Sequence, residues 1–173
     1  WFYARPPAAA ADWMGWRQAD TQAIALNFRD SGNDILHPQI DWRGAGPGFV
    51  ETEFQLYPYL IKLLLPATGN AEWPGQLLSL LAIAGAIALA YRTLASVYSQ
   101  ASALLAAMAA MANLGSLHLA TSIQPDALCF FFYSAQLICF YYYTQTPRGA
   151  GTILLVLATL FAILAVLIKP TAL

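Results

Sequence analysis

The stretch GTILLVLATLFAILAVLI, residues 151–168, decides the fold class, because it holds no charged residue and is almost purely leucine, isoleucine, valine and alanine. An apolar run of about 18 residues is long enough for an α-helix to cross the hydrocarbon core of a bilayer. Similar apolar runs precede it at 74–92, 99–119 and 126–144. The sequence therefore predicts an all-α polytopic membrane protein with four transmembrane helices.

The charged residues are distributed unevenly along the chain. The 173 residues are 59% hydrophobic and 10% charged, whereas soluble domains contain about 25% charged residues. Most of the charge precedes residue 73, and lipid disfavours unpaired charge. We therefore divide the chain into a first non-cytoplasmic loop with juxtamembrane helices, residues 1–72, and a four-helix transmembrane region, residues 73–173. The net charge of −1 argues against nucleic acid as a partner.

The polar segment contains two helical patterns. Apolar residues recur on one stripe between Asp12 and Arg29, which predicts an amphipathic helix that ends at Ser31-Gly32-Asn33. The stretch Phe54 to Leu65 is apolar but too short to span, so we expect a juxtamembrane helix at the interface. The residues predicted on the buried stripe of the first helix are Trp16, Ala19, Ala23, Ile24 and Leu26.

The loops predict the orientation. Arg92 and Arg148 lie in loops that the four-span arrangement places on one side, and positive residues favour the cytoplasm. Residues 1–72 and the loop at 120–126 then lie on the outer side, where Lys169 is a minor exception to the rule. Charged side chains collect on that side, and the candidate site residues are Arg17, Asp20, Arg43, Glu51, Glu53, Lys62 and Asp126.

Several stretches resemble one enzyme family. WRQADT at 16–21, HPQIDWRG at 37–44 and the stretch from Glu51 to Pro58 look like the first outer loop of bacterial GT-C glycosyltransferases. This superfamily includes protein O-mannosyltransferases and the aminoarabinose transferase of lipid A, which use polyprenyl-phosphate donors. Asp20 and YPYLIK at 57–62 match its acidic residue and its Pro-containing motif with a following Lys, although Tyr57 stands where mannosyltransferases often have His. QPDA at 124–127 and KPT at 169–171 resemble later motifs.

The resemblance implies an inverting transfer of a sugar from a polyprenyl phosphate to a lipid, glycan or protein acceptor. Such a protein is expected in the bacterial inner membrane, with residues 1–72 in the periplasm. Asp20 is the expected catalytic base. Arg17, Arg43 and Lys62 are expected to stabilise the phosphate, and Glu51, Glu53 and Asp126 to bind substrate. A divalent metal ion held by Asp20 with Glu51 or Glu53 is left open as a cofactor.

The resemblance further implies an incomplete GT-C-like chain, with an opening helix before Trp1 and further helices after Leu173. Alone, such a fragment is expected to be inactive.

Each candidate residue also has a structural interpretation. Asp20, Glu51 and Glu53 are then solvated charges, Asp126 a helix cap and Lys62 an interfacial side chain with its ammonium in water. Arg43 is then a stacking partner of Trp42.

Two other functions compete with glycosyl transfer, namely a transporter subunit and a non-catalytic membrane scaffold. A transporter should carry ionisable or helix-breaking residues at mid-membrane. The nearest examples are Gly85 and His118, which argues against transport.

Overall fold

The computed structural model describes residues 15–32, 34–50, 53–65, 70–147 and 150–170. Within these ranges the regular elements are all helical, and the only extended pairing is an isolated antiparallel bridge between Gln39 and Phe49. The predicted all-α fold class is therefore confirmed. The helices are α1 (Gly15–Asp30), α2 (Leu56–Leu64), α3 (Glu72–Val97), α4 (Gln100–Ala112), α5 (Leu114–Thr121), α6 (Asp126–Gln145) and α7 (Thr152–Ile168).

The spanning helices follow the predicted apolar runs. Helices α3 and α6 are each long and apolar enough to cross a membrane, and α4 with α5 supplies a third span if their 63° bend lies within one crossing. Helix α7 is apolar but has 17 residues, slightly fewer than a span normally needs. The chain is thus a polytopic membrane protein, and the count of four spans stays a prediction.

Asn113 interrupts the second predicted span. Its Oδ1 accepts hydrogen bonds from the backbone N–H groups of Gly115 at 2.9 Å and Ser116 at 3.4 Å, which caps α5 and separates it from α4. An Asn side chain is well suited to starting a helix in this way. Our expectation that Gly85 and His118 come nearest to a helix break was therefore wrong.

Helix α3 lies at the centre of the spanning bundle. It packs against α4, α5 and α6, and α6 packs against α7. A Cβ atom at Gly85 would lie 3.0 Å from the ring of Phe131, so this glycine permits the close approach of α3 and α6. Small side chains give lipid-embedded helices this kind of contact. Buried small residues of α3, α6 and α7 include Ser79, Ala82, Ala86, Ala135 and Ala158.

The segment before α3 packs on the N-terminal part of α3 through α2. Helix α2 confirms that this stretch is helical, whereas its predicted position at the membrane interface stays a prediction. Its Tyr57 is fully buried and donates a hydrogen bond to the Gly75 carbonyl at 2.8 Å. Helix α1 packs on α2, where the rings of Phe28 and Tyr59 meet edge to face at 5.7 Å. The division of the chain at residue 72 stays a prediction.

The buried face of α1 differs from the predicted stripe. Trp16 is 66% exposed and Ala19 is also exposed, so placing them on the buried face was wrong. Gln18 and Thr21 are buried instead, because both side chains make hydrogen bonds within the protein. The predicted helix start at Asp12 lies outside the described residues, whereas the end after Asp30 is confirmed by Gly32 with φ 66°. The buried residues of α1 include Gln18, Thr21, Ile24, Ala25 and Phe28.

Candidate functional site

A polar cavity of about 340 Å³ lies between α1 and the segment that precedes α2. Helix α1 contributes Arg17 and Asp20, which are neighbours on a helical surface because they are three residues apart. The segment before α2 contributes Glu53 and Gln55. Three of the predicted site residues, Arg17, Asp20 and Glu53, therefore line one cavity.

Asp20 is a half-buried carboxylate beside a second carboxylate. Burial raises its pKa above the ordinary value, and the negative charge of Asp41 raises the pKa further. Asp41 is held in place by Asn27 of α1, whose side-chain amide donates to Asp41 Oδ1 at 3.0 Å and to the Gln39 carbonyl at 2.9 Å. A carboxylate with a raised pKa accepts a proton more readily than an ordinary aspartate, which suits a general base.

Arg17 and Glu53 form an ion pair across the cavity. Arg17 Nη2 lies 3.5 Å from Glu53 Oε2, and the two side chains are 26% and 19% exposed. Burial raises the pKa of Glu53, the charges of Arg17 and Lys169 lower it, and that of Asp126 raises it. The pKa of Glu53 therefore depends on the charge of Arg17 on α1 and on the charges of Asp126 and Lys169, where α6 begins and α7 ends.

A second cavity, of about 310 Å³, lies where α6 begins and α7 ends. Lys169 Nζ donates a hydrogen bond to Asp126 Oδ1, and both residues line this cavity with Cys129 and Tyr133. Asp126 Oδ2 is buried and has no hydrogen-bond partner among the described residues. The carboxylate thus retains a free acceptor position beside the lysine.

A backbone hydrogen bond connects the segments that line the two cavities. The Phe54 N–H donates to the Leu167 carbonyl at 3.0 Å, so the segment that carries Glu53 is fixed to the end of α7 that carries Lys169. We call Arg17, Glu53, Asp126 and Lys169 the charge cluster. Sequence reasoning noted Lys169 as a resemblance and left it out of the candidate site, although its position just after an apolar span was a usable signal.

The other predicted site residues lie elsewhere. The exposed Arg43 donates to Asn27 Oδ1 at 2.8 Å, and its neighbour Trp42 is 88% exposed. Lys62 places its Nζ 4.9 Å from the centre of the Tyr59 ring. Neither Arg43 nor Lys62 lines either of these cavities. Glu51 lies outside the described residues, so the substrate-binding roles of all three residues stay predictions.

The described residues contain no group of three or more His, Cys, Asp or Glu side chains that could hold a metal ion. Asp20 and Glu53 line the same cavity, but the predicted alternative ligand, Glu51, lies outside the described ranges.

The family model of the dolichyl-phosphate-mannose-protein mannosyltransferases matches residues 55–173, well over half of the chain. The chain belongs to this family. It is therefore a member of a family of membrane glycosyltransferases, and the GT-C resemblance is confirmed. The matched region includes Asp126 and Lys169 but begins after Arg17, Asp20 and Glu53. Neither the curated proteins nor the solved structures provide a match.

Proposed function

We propose that this mannosyltransferase-family protein moves a sugar from a polyprenyl-phosphate donor to an acceptor hydroxyl at the periplasmic face of the bacterial inner membrane. The observation that carries the proposal is the cavity in which half-buried Asp20 lies beside the Arg17–Glu53 ion pair. The Asp126–Lys169 pair adjoins this cavity through Glu53. A proton acceptor and cations near the ends of membrane helices are the groups that this transfer needs.

Asp20 is the proposed base. The acceptor oxygen attacks the anomeric carbon of the donor, and its proton passes to the Asp20 carboxylate. The bond between the anomeric carbon and the phosphate oxygen breaks, and its electron pair stays on the polyprenyl phosphate. A single displacement inverts the anomeric configuration. The raised pKa of Asp20 favours this role because a base is most effective when its pKa approaches the working pH.

The cations of the charge cluster are proposed to bind the phosphate. Negative charge on the phosphate increases as the sugar departs, and a fixed cation stabilises that charge. Arg17 and Lys169 each have an acidic partner, Glu53 and Asp126 respectively. These partners hold the cations in place before the donor arrives, which is the substrate-binding role that we assign to Glu53 and Asp126. Arg43 and Lys62 stay second candidates for the same task.

The position of Lys169 supports a lipid-linked donor. Lys169 directly follows α7, whose 17 residues are all uncharged. A polyprenyl chain partitions into the bilayer, so its phosphate must be met at the end of the spanning helices. A cation at that place is also outside the hydrocarbon core, where an unpaired charge would be strongly disfavoured.

Transport is a second candidate because broken spanning helices are typical of transporters, and α4 and α5 form a 63° break. Against it, the apolar groove of about 370 Å³ that α4 and α5 form with α3 contains no charged lining residue. A path for a polar solute would need polar or ionisable groups at that depth. Glycosyl transfer therefore remains the better supported function.

The test is turnover of the donor by the protein in lipid nanodiscs. A panel of polyprenyl-phosphate sugars is supplied with extracted cell-envelope acceptors, and mass spectrometry measures the donor, the free polyprenyl phosphate and the glycosylated product. We expect one donor to be consumed, with release of polyprenyl phosphate equal to the product formed. Binding of a partner without consumption of any donor would indicate a scaffold, and solute flux into proteoliposomes would indicate a transporter.

A further inference from the structure

Gln18 makes a long-range contact from α1, next to residues that line the candidate site. It lies on α1 between Arg17 and Asp20, and only 1% of it is exposed. Its Oε1 accepts a hydrogen bond from the backbone N–H of Ile123 at 2.9 Å. The contact joins the helix that carries Asp20 to the short loop between α5 and α6, 105 residues further along the chain.

Ile123 is fixed by its side chain as well as by its backbone. The side chain is fully buried, and a Cβ atom at Gly75 would lie 2.5 Å from Ile123 Cγ2 and 3.3 Å from Ile61 Cδ1. Gly75 belongs to α3 and Ile61 to α2, so Ile123 sits at the junction of both helices. Its sec-butyl side chain occupies the space that a side chain at position 75 would take.

The neighbouring residues of this loop are also held. Ser122, Gln124 and Pro125 are buried, and the Ser122 N–H donates to the His118 carbonyl at 3.0 Å. Helix α6 begins directly afterwards at Asp126, the partner of Lys169. A shift of the loop would therefore move Asp126 relative to α1.

We propose that Gln18 is a positioning residue that holds Asp20 in a fixed relation to the Asp126–Lys169 pair. The role rests on the proposed function, since Asp20 accepts the proton while the pair faces the phosphate. Without the Gln18 oxygen, the Ile123 N–H is buried with its acceptor removed, so the loop must move or admit water. A misplacement of about 1 Å between reacting groups can lower a rate about 100-fold.

Two substitutions of similar size separate the hydrogen bond from the packing. Gln18→Met retains the length of the side chain and removes the acceptor, whereas Gln18→Glu retains an oxygen that can accept from Ile123. Steady-state kinetics with the polyprenyl-phosphate sugar and hydrogen exchange of the Ile123 amide are measured in nanodiscs. For Gln18→Met we expect exchange at Ile123 to accelerate at least about 10-fold and kcat to fall about 10- to 100-fold. The KM of the donor should change less than about twofold, because the cations that bind phosphate are retained.

The Gln18→Glu variant should recover both properties to within about threefold of wild type. A matched control is Phe28→Leu, on the same buried face of α1 but outside the cavity lining. It should lower the unfolding temperature and leave kcat within about twofold.

The outcomes separate this role from the proposed function. An unchanged kcat in Gln18→Met, or unchanged exchange at Ile123, would overturn the positioning role while wild-type turnover upholds the proposed function. A fall in kcat that the Glu variant does not restore would also overturn it. Absence of turnover in the wild type would overturn the proposed function and the positioning role with it.

Discussion

The regions around Asp20 and Asp126 contain the same chemical group in opposite surroundings. On α1, the charge that acts on Asp20 is a second carboxylate, Asp41, which together with burial raises the pKa of Asp20. At the start of α6, Asp126 accepts a hydrogen bond from Lys169. An acidic neighbour favours the protonated form of a carboxyl group. The comparison therefore supports the proposed proton acceptor on α1 and a carboxylate that holds a cation in place at the start of α6.

The two regions also differ in how they relate to the family. The matched residues, 55–173, include Asp126 and Lys169, whereas Asp20 precedes them. Glu53 lies between the two regions, since it pairs with Arg17 and its pKa responds to both Asp126 and Lys169. The two proposed roles, a base on α1 and a phosphate-binding cation after α7, can be tested by changing each region separately.

The largest expected effect follows from Asp20→Asn. The amide has the shape of the carboxylate but cannot take the acceptor's proton, so kcat should fall about 10²- to 10⁴-fold. Release of polyprenyl phosphate measures the rate. Asp30→Asn is the matched control, because Asp30 is an exposed carboxylate on the same helix whose partner is Arg29. Full activity of Asp20→Asn would show that Asp20 is not the base.

Lys169→Met should have the next largest effect. Loss of a cation that stabilises the departing phosphate should lower kcat about 100-fold, and it leaves Asp126 partly buried without its ion partner. Adding Asp126→Asn should restore some of the lost thermal stability, because it removes the uncompensated charge. Activity should stay low in the double variant. Recovery of activity together with stability would show that Lys169 acts only on the fold.

Asp41→Asn should change the pH dependence more than the maximal rate. The negative charge of Asp41 raises the pKa of Asp20, so removing it lowers that pKa. A base must be ionised to act, and the acid limb of the kcat profile should therefore move to lower pH. The Asn side chain can still accept the hydrogen bond from Asn27. A shift of the acid limb to higher pH, or no shift, would contradict this assignment.

Arg43→Gln should have the smallest effect. Arg43 is exposed and its guanidinium donates to Asn27, so the variant should loosen the loop at 39–50 and lower kcat/KM less than about threefold. Steady-state kinetics against the donor checks this. A fall comparable with that of Lys169→Met would instead place Arg43 on the phosphate.

The spanning part of the fold was predictable because lipid leaves few alternatives. An uncharged run such as 151–168 has to satisfy its backbone internally, and a helix does so. The bend at Asn113 was harder to predict, since one capping side chain within an apolar run changes neither length nor mean hydropathy. On α1 the predicted buried stripe was partly wrong, because two polar residues are buried there. Gln18 accepts a hydrogen bond from the distant Ile123 N–H, and Thr21 donates one to the carbonyl of Arg17 on the same helix.

The candidate site was predictable only in part. Charge and order along the chain selected Arg17, Asp20, Glu53 and Asp126, because charged residues are concentrated before the apolar runs and in the loops between them. Lys169 could not be matched to Asp126 from sequence, since the pairing depends on the packing of α6 against α7. The contact of Gln18 with Ile123 spans 105 residues and likewise requires the folded chain.

The account requires Asp20 and Asp126 to meet at one face of the membrane, and thiol labelling tests this most directly. Single cysteines replace the exposed Leu36 between α1 and α2, Thr121 at the end of α5 or Tyr98 just after the last residue of α3, with Cys129 and Cys139 changed to Ala. A membrane-impermeant maleimide is applied to spheroplasts. We predict that the cysteines at positions 36 and 121 react and that the one at position 98 reacts only after lysis. Labelling of positions 36 and 121 from opposite sides would contradict the account.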